Sequence, residues 1–112
     1  MDSILTSIKK LLGIQESYTH FDPDIIMDIN TAFGILTQIG IGPSTGFSII
    51  DSTAEWSDFI TDIRHLELIM SYVHLKVKLL FDPPLSSSLI EVINRQISEL
   101  EWRISITVNG GA

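Results

Sequence analysis

Apolar side chains recur every three or four residues through most of the chain, and this period predicts an all-α, single-domain bundle of about five helices. The first predicted helix spans Ser3–Leu12, and Gly13 can end it in a left-handed conformation. The second predicted helix starts at Asp22-Pro23, since aspartate can cap a helix and proline suits the first helical position. It ends at Gly40, and its apolar stripe consists of Ile25, Ile29, Ala32, Phe33 and Leu36.

A glycine-rich stretch, residues 39–50, predicts the one long loop of the fold, in which Gly46–Ile50 is either extended or a short strand. Ser52 and Glu55 have the spacing of a capping box, so a third helix is expected to follow. One face of this helix is apolar and consists of Trp56, Phe59, Ile60 and Ile63. The opposite face carries a candidate acidic surface made of Glu55, Asp58 and Asp62.

The fourth helix is the most apolar, and its pattern has two sides. Strict alternation over residues 73–81 is typical of a strand, but the longer window favours a helix that stops before Pro83. The first apolar stripe is Leu66, Ile69, Met70, Val73, Val77, Leu80 and Phe81. A second, nearly opposite stripe is Leu68, Tyr72, Leu75 and Leu79. Two interpretations stay open: a central helix buried on both sides, or a helix that offers one stripe to another protein.

Ser88 and Glu91 form a second potential capping box, which predicts a fifth helix. Its expected inward residues are Leu89, Ile93, Ile97, Leu100 and Ile104. The pairs Glu91–Arg95 and Glu99–Arg103 have favourable i, i+4 spacing on its surface. Trp102 points away from the inward stripe, so it either packs under the first helix or the tail, which is the favoured interpretation, or anchors a partner.

The last residues predict a separate segment. Residues 1–104 are expected to form the helical domain, and residues 105–112 an extended tail that is flexible or binds a partner. Ile106 and Val108 alternate with polar residues there, so the tail could add to a partner as an extended strand. Together with Trp102, Ile104 and the second stripe of the fourth helix, they are the candidate protein interface.

Charge and composition narrow the function. The 112 residues include 14 acidic and 7 basic side chains, and the formal net charge is −7. No lysine or arginine lies between Lys10 and Arg64, so this part of the surface repels phosphate and tight DNA wrapping is not expected. The chain has no cysteine, which excludes disulfides and thiolate metal sites. Neither a signal peptide nor a membrane span is expected from the apolar runs.

No cluster of chemical groups predicts an active site. His65 and His74 lie nine residues apart on opposite sides of one predicted helix. Asp24–Asp28 and Asp58–Asp62 have the spacing of carboxylate ligands, but no histidine joins them on the same turn. We therefore expect no catalytic residues, no metal and no cofactor. A small hydrolase that uses the paired aspartates remains as a rival, as does an acidic regulator or inhibitor of a nucleic-acid-binding partner.

Three segments together carry a family resemblance: YTHFDPDIIMDIN at residues 18–30, LKVKLLFDPP at 75–84 and ISELEWRI at 97–104. On them the chain resembles the small head–tail connector, or adaptor, proteins of long-tailed bacteriophages and prophages of Gram-positive bacteria. The likeness extends from about the first helix to Ile104, and LKVKLLFDPP is its most specific part. None of the segments is a catalytic signature.

The resemblance implies a structural, non-enzymatic virion protein that is made in the host cytoplasm and docks under the portal of a filled head. Copies would form a ring, of twelve in the best-known members, that extends the DNA channel and receives the next neck or tail protein. Some members are monomers until they meet the portal. DNA would pass through without specific binding, with the acidic surface lining the channel.

Overall fold

A computed structural model describes residues 2–62 and 65–109, with Asn109 described in its backbone only. In these ranges the chain forms five α-helices and no strand. They are α1 (Ile4–Leu11), α2 (Asp22–Ile39), α3 (Trp56–Phe59), α4 (Leu66–Phe81) and α5 (Ser87–Asn109). The predicted all-α bundle of about five helices is confirmed.

The first helix begins and ends as its sequence predicts. The Ser3 hydroxyl accepts a hydrogen bond from the Thr6 amide at 3.1 Å, which satisfies one of the free donors of the first turn. Gly13 follows the helix with a φ of 80°, a left-handed value that glycine adopts without a steric penalty. Ile4, Leu5 and Ile8 are buried, so α1 is a core helix despite its short length.

The second helix carries the apolar stripe that its period predicts, since all five of the stripe residues are buried. Gly40 ends the helix with a φ of 105°. The predicted cap is wrong, however. Asp22 is the first helical residue, the cap position belongs to Phe21, and no side chain caps the helix. The Asp22 carboxylate instead lies 2.9 Å from the buried Lys9 ammonium, which is a stronger electrostatic partner than a backbone amide.

The long loop contains no strand at residues 46–50, where an extended segment or a short strand was the expectation. The amide of Ile49 donates to Asn30 Oδ1 at 2.8 Å, and Asn30 Nδ2 donates to the Ile49 carbonyl at 2.9 Å. The Asn30 side chain on α2 thus makes both hydrogen bonds with the Ile49 backbone that a neighbouring strand would otherwise have made. Gly42 has a φ of 83°, and a Cβ at this position would overlap the Phe59 ring.

The third helix is a single turn, shorter than its apolar pattern predicts. The predicted capping box is displaced by three residues, because the amide of Glu55, not Ser52, donates to the Asp58 carboxylate at 2.8 Å. Trp56 and Phe59 are buried as expected, and the Trp56 indole donates to Ser7 Oγ at 3.2 Å. Ile63, the last member of the predicted apolar face, lies outside the described residues.

The fourth helix is central, with α2 and α5 as its main neighbours and α1 also in contact. Its first stripe packs into the core, with one exception. Leu80 is 48% exposed, so its predicted place in the buried stripe is wrong. In the second stripe Tyr72 is completely buried, and Leu68, Leu75 and Leu79 are half-buried against the core. The interpretation of a helix buried on both sides therefore describes this fold, because α5 covers what α2 leaves open.

The fifth helix begins one residue earlier than its predicted cap. The Leu89 amide donates to Ser86 Oγ at 3.4 Å, so Ser86 rather than Ser88 satisfies the first turn. Ile97 and Ile104 are buried and Ile93 and Leu100 half-buried, as predicted. Leu89, in contrast, is 54% exposed, since it lies in the first turn. Of the two predicted surface pairs, the described residues form only that of Arg103 with Glu99, at 2.9 Å.

The predicted extended tail is helical over residues 105–109, and α5 runs through the expected domain boundary at residue 104. Ile104 is 1% exposed and Val108 packs one turn later beside Gly40, so burial continues past the boundary and favours the helix. The Thr107 hydroxyl also donates to the Arg103 carbonyl at 3.0 Å. Residues 110–112 lie outside the described part of the chain.

Candidate protein-interaction surface

A groove with a volume of about 670 Å³ lies between the end of α1, the start of α2 and the end of α4. We call it the α1–α2–α4 groove. Most of its wall is apolar and consists of Leu12, Ile14, Tyr18, Phe21, Met27, Leu80 and Phe81. Three carboxylates also line it, those of Asp24, Asp28 and Asp82. Met27 is 66% exposed and Tyr18 50% exposed, so large apolar side chains face solvent here.

Lys9 holds one wall of the groove in place. This lysine is 2% exposed, and its ammonium donates to the carbonyls of Glu16 at 2.9 Å and Tyr18 at 2.7 Å. It also lies 2.9 Å from Asp22 Oδ1, an ion pair rather than a hydrogen bond, since that oxygen accepts none. A buried charge is stable only with such partners. The loop from Leu12 to Phe21 is therefore fastened to α1 and α2 by one side chain.

Aromatic rings continue the wall. The Phe21 ring lies edge-on to Phe81 at 5.4 Å between centroids, which joins the loop to the end of α4. Tyr18 and His20 lie 5.8 Å and 4.8 Å from the same Phe21 ring. Contacts of this kind stabilise a pair by about 0.5–1.5 kcal/mol beyond the buried area. The groove is thus a fixed feature of the fold, because the loop that forms one of its walls is in contact with the end of α4 and with Lys9 of α1.

The groove carries uncompensated negative charge. Asp82 accepts a hydrogen bond from Lys78 at 3.1 Å, but in the described ranges no cationic group lies within 4 Å of Asp24 or Asp28. Burial, and then the nearby Asp24 carboxylate, raise the pKa of Asp28 above its ordinary value. A cation placed between these two carboxylates would relieve their repulsion.

A second exposed surface follows the side of α5 that faces away from α4. Its members occur at alternating spacings of three and four residues, which places them in one row along the helix. We call this row the outer face of α5, and it consists of Val92, Arg95, Glu99, Trp102 and Ile106. Trp102 is 64% exposed, so the favoured interpretation, packing under α1 or the tail, is wrong.

Almost the whole amino-acid sequence matches a known protein family. The model of a family described as phage connector protein matches residues 4–111. The chain belongs to the phage connector protein family. No match was found among curated proteins or solved structures. Membership confirms the predicted phage connector and makes this chain a virion component with a structural role.

The predicted interface residues of the connector do not share one surface. Tyr72 and Ile104 are core residues, and the Tyr72 hydroxyl donates to Glu101 Oε2 at 2.8 Å. Burial first, and then the Glu101 carboxylate, raise the pKa of Tyr72 far above its usual range. Trp102 and Ile106 are exposed, while Val108 is half-buried. The binding role of the candidate interface residues stays a prediction. Trp102 and Ile106 are exposed, so these two can contact a partner without any rearrangement of the fold.

The predicted acidic surface is broken up in the connector. Glu55 and Asp58 are exposed at α3, where the Asp58 carboxylate accepts the Glu55 amide. Asp62 lies beyond the helix end at Phe59, so it cannot share a helical face with them. One oxygen of Asp62 lies 3.7 Å from His65 Nε2. These carboxylates remain candidates for a channel lining because they are at the surface, not because they form one row.

The histidines of the connector do not converge on a site. His74 is half-buried on α4, where burial and then the Lys78 charge lower its pKa, while a hydrogen bond with the Leu11 backbone acts in the opposite direction. The described residues contain no group of three or more side chains that could hold a metal ion. In the same ranges no helix has the length and hydropathy needed to cross a membrane.

Sequence reasoning missed the groove and its lysine. One signal was present: Lys9 adjoins Ile8 in the apolar stripe of α1 and is buried with it. The aromatic run of Tyr18, His20 and Phe21 indicated only a family likeness. What unites these residues is a loop closing onto two helices, and no spacing along the chain encodes such a contact.

Proposed function

We propose that the connector docks on the portal vertex of a filled phage head, where its copies form a ring that extends the DNA channel and receives the next neck or tail protein. The observation that carries the proposal is the family match over residues 4–111. The exposed groove and the outer face of α5 support it, since a connector needs contact surfaces beyond its own core.

The finer features come from the family resemblance. They are a ring of twelve, copies that are monomers before they meet the portal, and a long-tailed phage or prophage of a Gram-positive host. The acidic residues Glu55, Asp58 and Asp62 would line the channel, where like charge lets DNA slide without sticking. No observation favours the alternative of an acidic inhibitor.

Docking can be tested with DNA-filled, tail-less heads that carry the cognate portal. Purified connector is expected to sediment with these heads and to add a ring at one vertex in electron micrographs. Heads that lack the portal, and heads whose neck is complete, serve as controls and should take up none. Equal uptake by portal-free heads, or none by any of them, would overturn the proposal.

The isolated connector is expected to bind duplex DNA weakly or not at all at physiological salt. The reason is the net charge of −7 and the absence of lysine and arginine between Lys10 and Arg64. A gel-shift titration measures this directly. Sub-micromolar binding would contradict both the expectation and the channel-lining role.

A further inference from the structure

The connector carries two exposed surfaces that complement each other in shape and charge. The α1–α2–α4 groove is a concave apolar surface with two unpaired carboxylates, Asp24 and Asp28. The outer face of α5 is convex and combines Trp102 and Ile106 with Arg95. Its one carboxylate, Glu99, is neutralised by Arg103 at 2.9 Å, which leaves Arg95 as the unpaired charge of this face. Among the described side chains, none of α5 lines the groove, so the two surfaces do not cover each other within one chain.

Arg95 is the cation that the groove lacks. Its predicted partner Glu91 does not pair with it, and in the described ranges no carboxylate lies within 4 Å of its guanidinium. Arg103, the other arginine of α5, already pairs with Glu99. A guanidinium can bind two carboxylate oxygens at once, so Arg95 suits the pair formed by Asp24 and Asp28.

Trp102 supplies the apolar part. Tryptophan and arginine are the residue types that most often dominate protein interfaces, and an aromatic side chain buries about 150–250 Å². A groove of about 670 Å³ has room for an indole and the aliphatic side chain one turn later, that of Ile106. Trp102 lies two turns after Arg95, so both can face one partner.

We propose that the groove of one connector binds the outer face of α5 of a second copy, with Trp102 and Ile106 against its apolar wall and Arg95 between Asp24 and Asp28. The two surfaces differ, so each copy can bind one neighbour on either side. Such head-to-tail contacts close into a ring when the rotation between copies allows it. The inference deepens the proposed function, on which its biological setting rests.

The contact is small. It rests on Arg95, Trp102 and Ile106 of one copy, far fewer than the roughly 20–30 residues a side of a standard interface, so a single pair of free copies associates weakly. Cross-linking traps weak contacts, and the connector contains no cysteine that would interfere. Met27 at the groove and Ile106 on α5 are both exposed, so a cysteine at either position leaves the core intact.

The test mixes two single variants, M27C with an affinity tag and I106C without one, in equal amounts under mild oxidation. The expected result is a mixed disulfide dimer in several-fold excess over the product of S44C with I106C. Ser44 is an exposed loop residue outside both surfaces, which makes S44C the matched control. Adding Arg95→Glu to the I106C chain should abolish the excess, and adding Asp28→Lys to the M27C chain should restore it.

Three outcomes would overturn the proposal: a mixed dimer no more abundant than with S44C, a dominant dimer of I106C with itself, or a yield that Arg95→Glu does not change. All use the isolated protein. Docking on portal-bearing heads is scored separately. If the connector docks but does not form this cross-link, the proposed contact is wrong and the proposed function still stands.

Discussion

Replacing Val73 by aspartate is expected to lower the free energy of unfolding by roughly 3–5 kcal/mol, a large part of the ~5–15 kcal/mol that holds a typical domain together. Val73 is completely buried on α4, the helix that packs against both α2 and α5. The substitution removes apolar contacts and places a carboxylate at a completely buried position of the apolar core, where the charge loses its hydration.

Urea and thermal denaturation, both followed by circular dichroism, measure this effect. Ser71→Asp is the matched control, because Ser71 is exposed on the same helix and the change adds the same charge. The control should unfold close to wild type. If V73D melted within about one or two degrees of wild type, Val73 would not be a core residue and the central place of α4 would be wrong.

Replacing Lys9 by methionine is expected to destabilise the connector by roughly 3–5 kcal/mol, the usual result of removing one partner from a buried ion pair. Methionine keeps the length and apolar stem of lysine. It loses the hydrogen bonds to the carbonyls of Glu16 and Tyr18, and it leaves the Asp22 carboxylate without its cation. The loop that forms one wall of the groove would then detach from α1.

Lys10→Met is the control next in sequence, because Lys10 is exposed and its pair with Asp2 is at the surface. Denaturation should separate the two variants clearly, with K10M close to wild type. Adding Asp22→Asn to K9M should recover part of the loss, since no buried charge then remains. Equal stability of K9M and K10M would mean that the buried ammonium does not hold the loop.

Local pattern was enough to predict several elements. The stripe of α2 is buried at every predicted position, because a period of 3.6 residues sets one face of a helix whatever its neighbours are. Gly13 and Gly40 end their helices in the left-handed region for an equally local reason, the lack of a Cβ. The two-sided pattern of α4 left two interpretations open, and the one with a helix covered on both sides describes the fold, since α2 and α5 cover it.

Prediction was weaker where a residue had a choice of partner. Asp22, Ser52 and Ser88 all had the residue type and spacing of helix caps, yet none is the capping residue. Asp22 pairs with a lysine from another helix, while Asp58 and Ser86 satisfy the amides at the starts of α3 and α5. Capping contributes only about 1 kcal/mol, so a tertiary contact readily overrides it.

The sequence by itself determined the class of fold, the helices and most of their inward faces, because these depend on spacing within one element. Tertiary structure alone decided that Lys9 is buried, that Trp102 is exposed and that residues 105–109 stay helical. The physical reason is the same in each case. A side chain is covered or left open by elements far away in sequence, and periodicity says which way it points but not what meets it there.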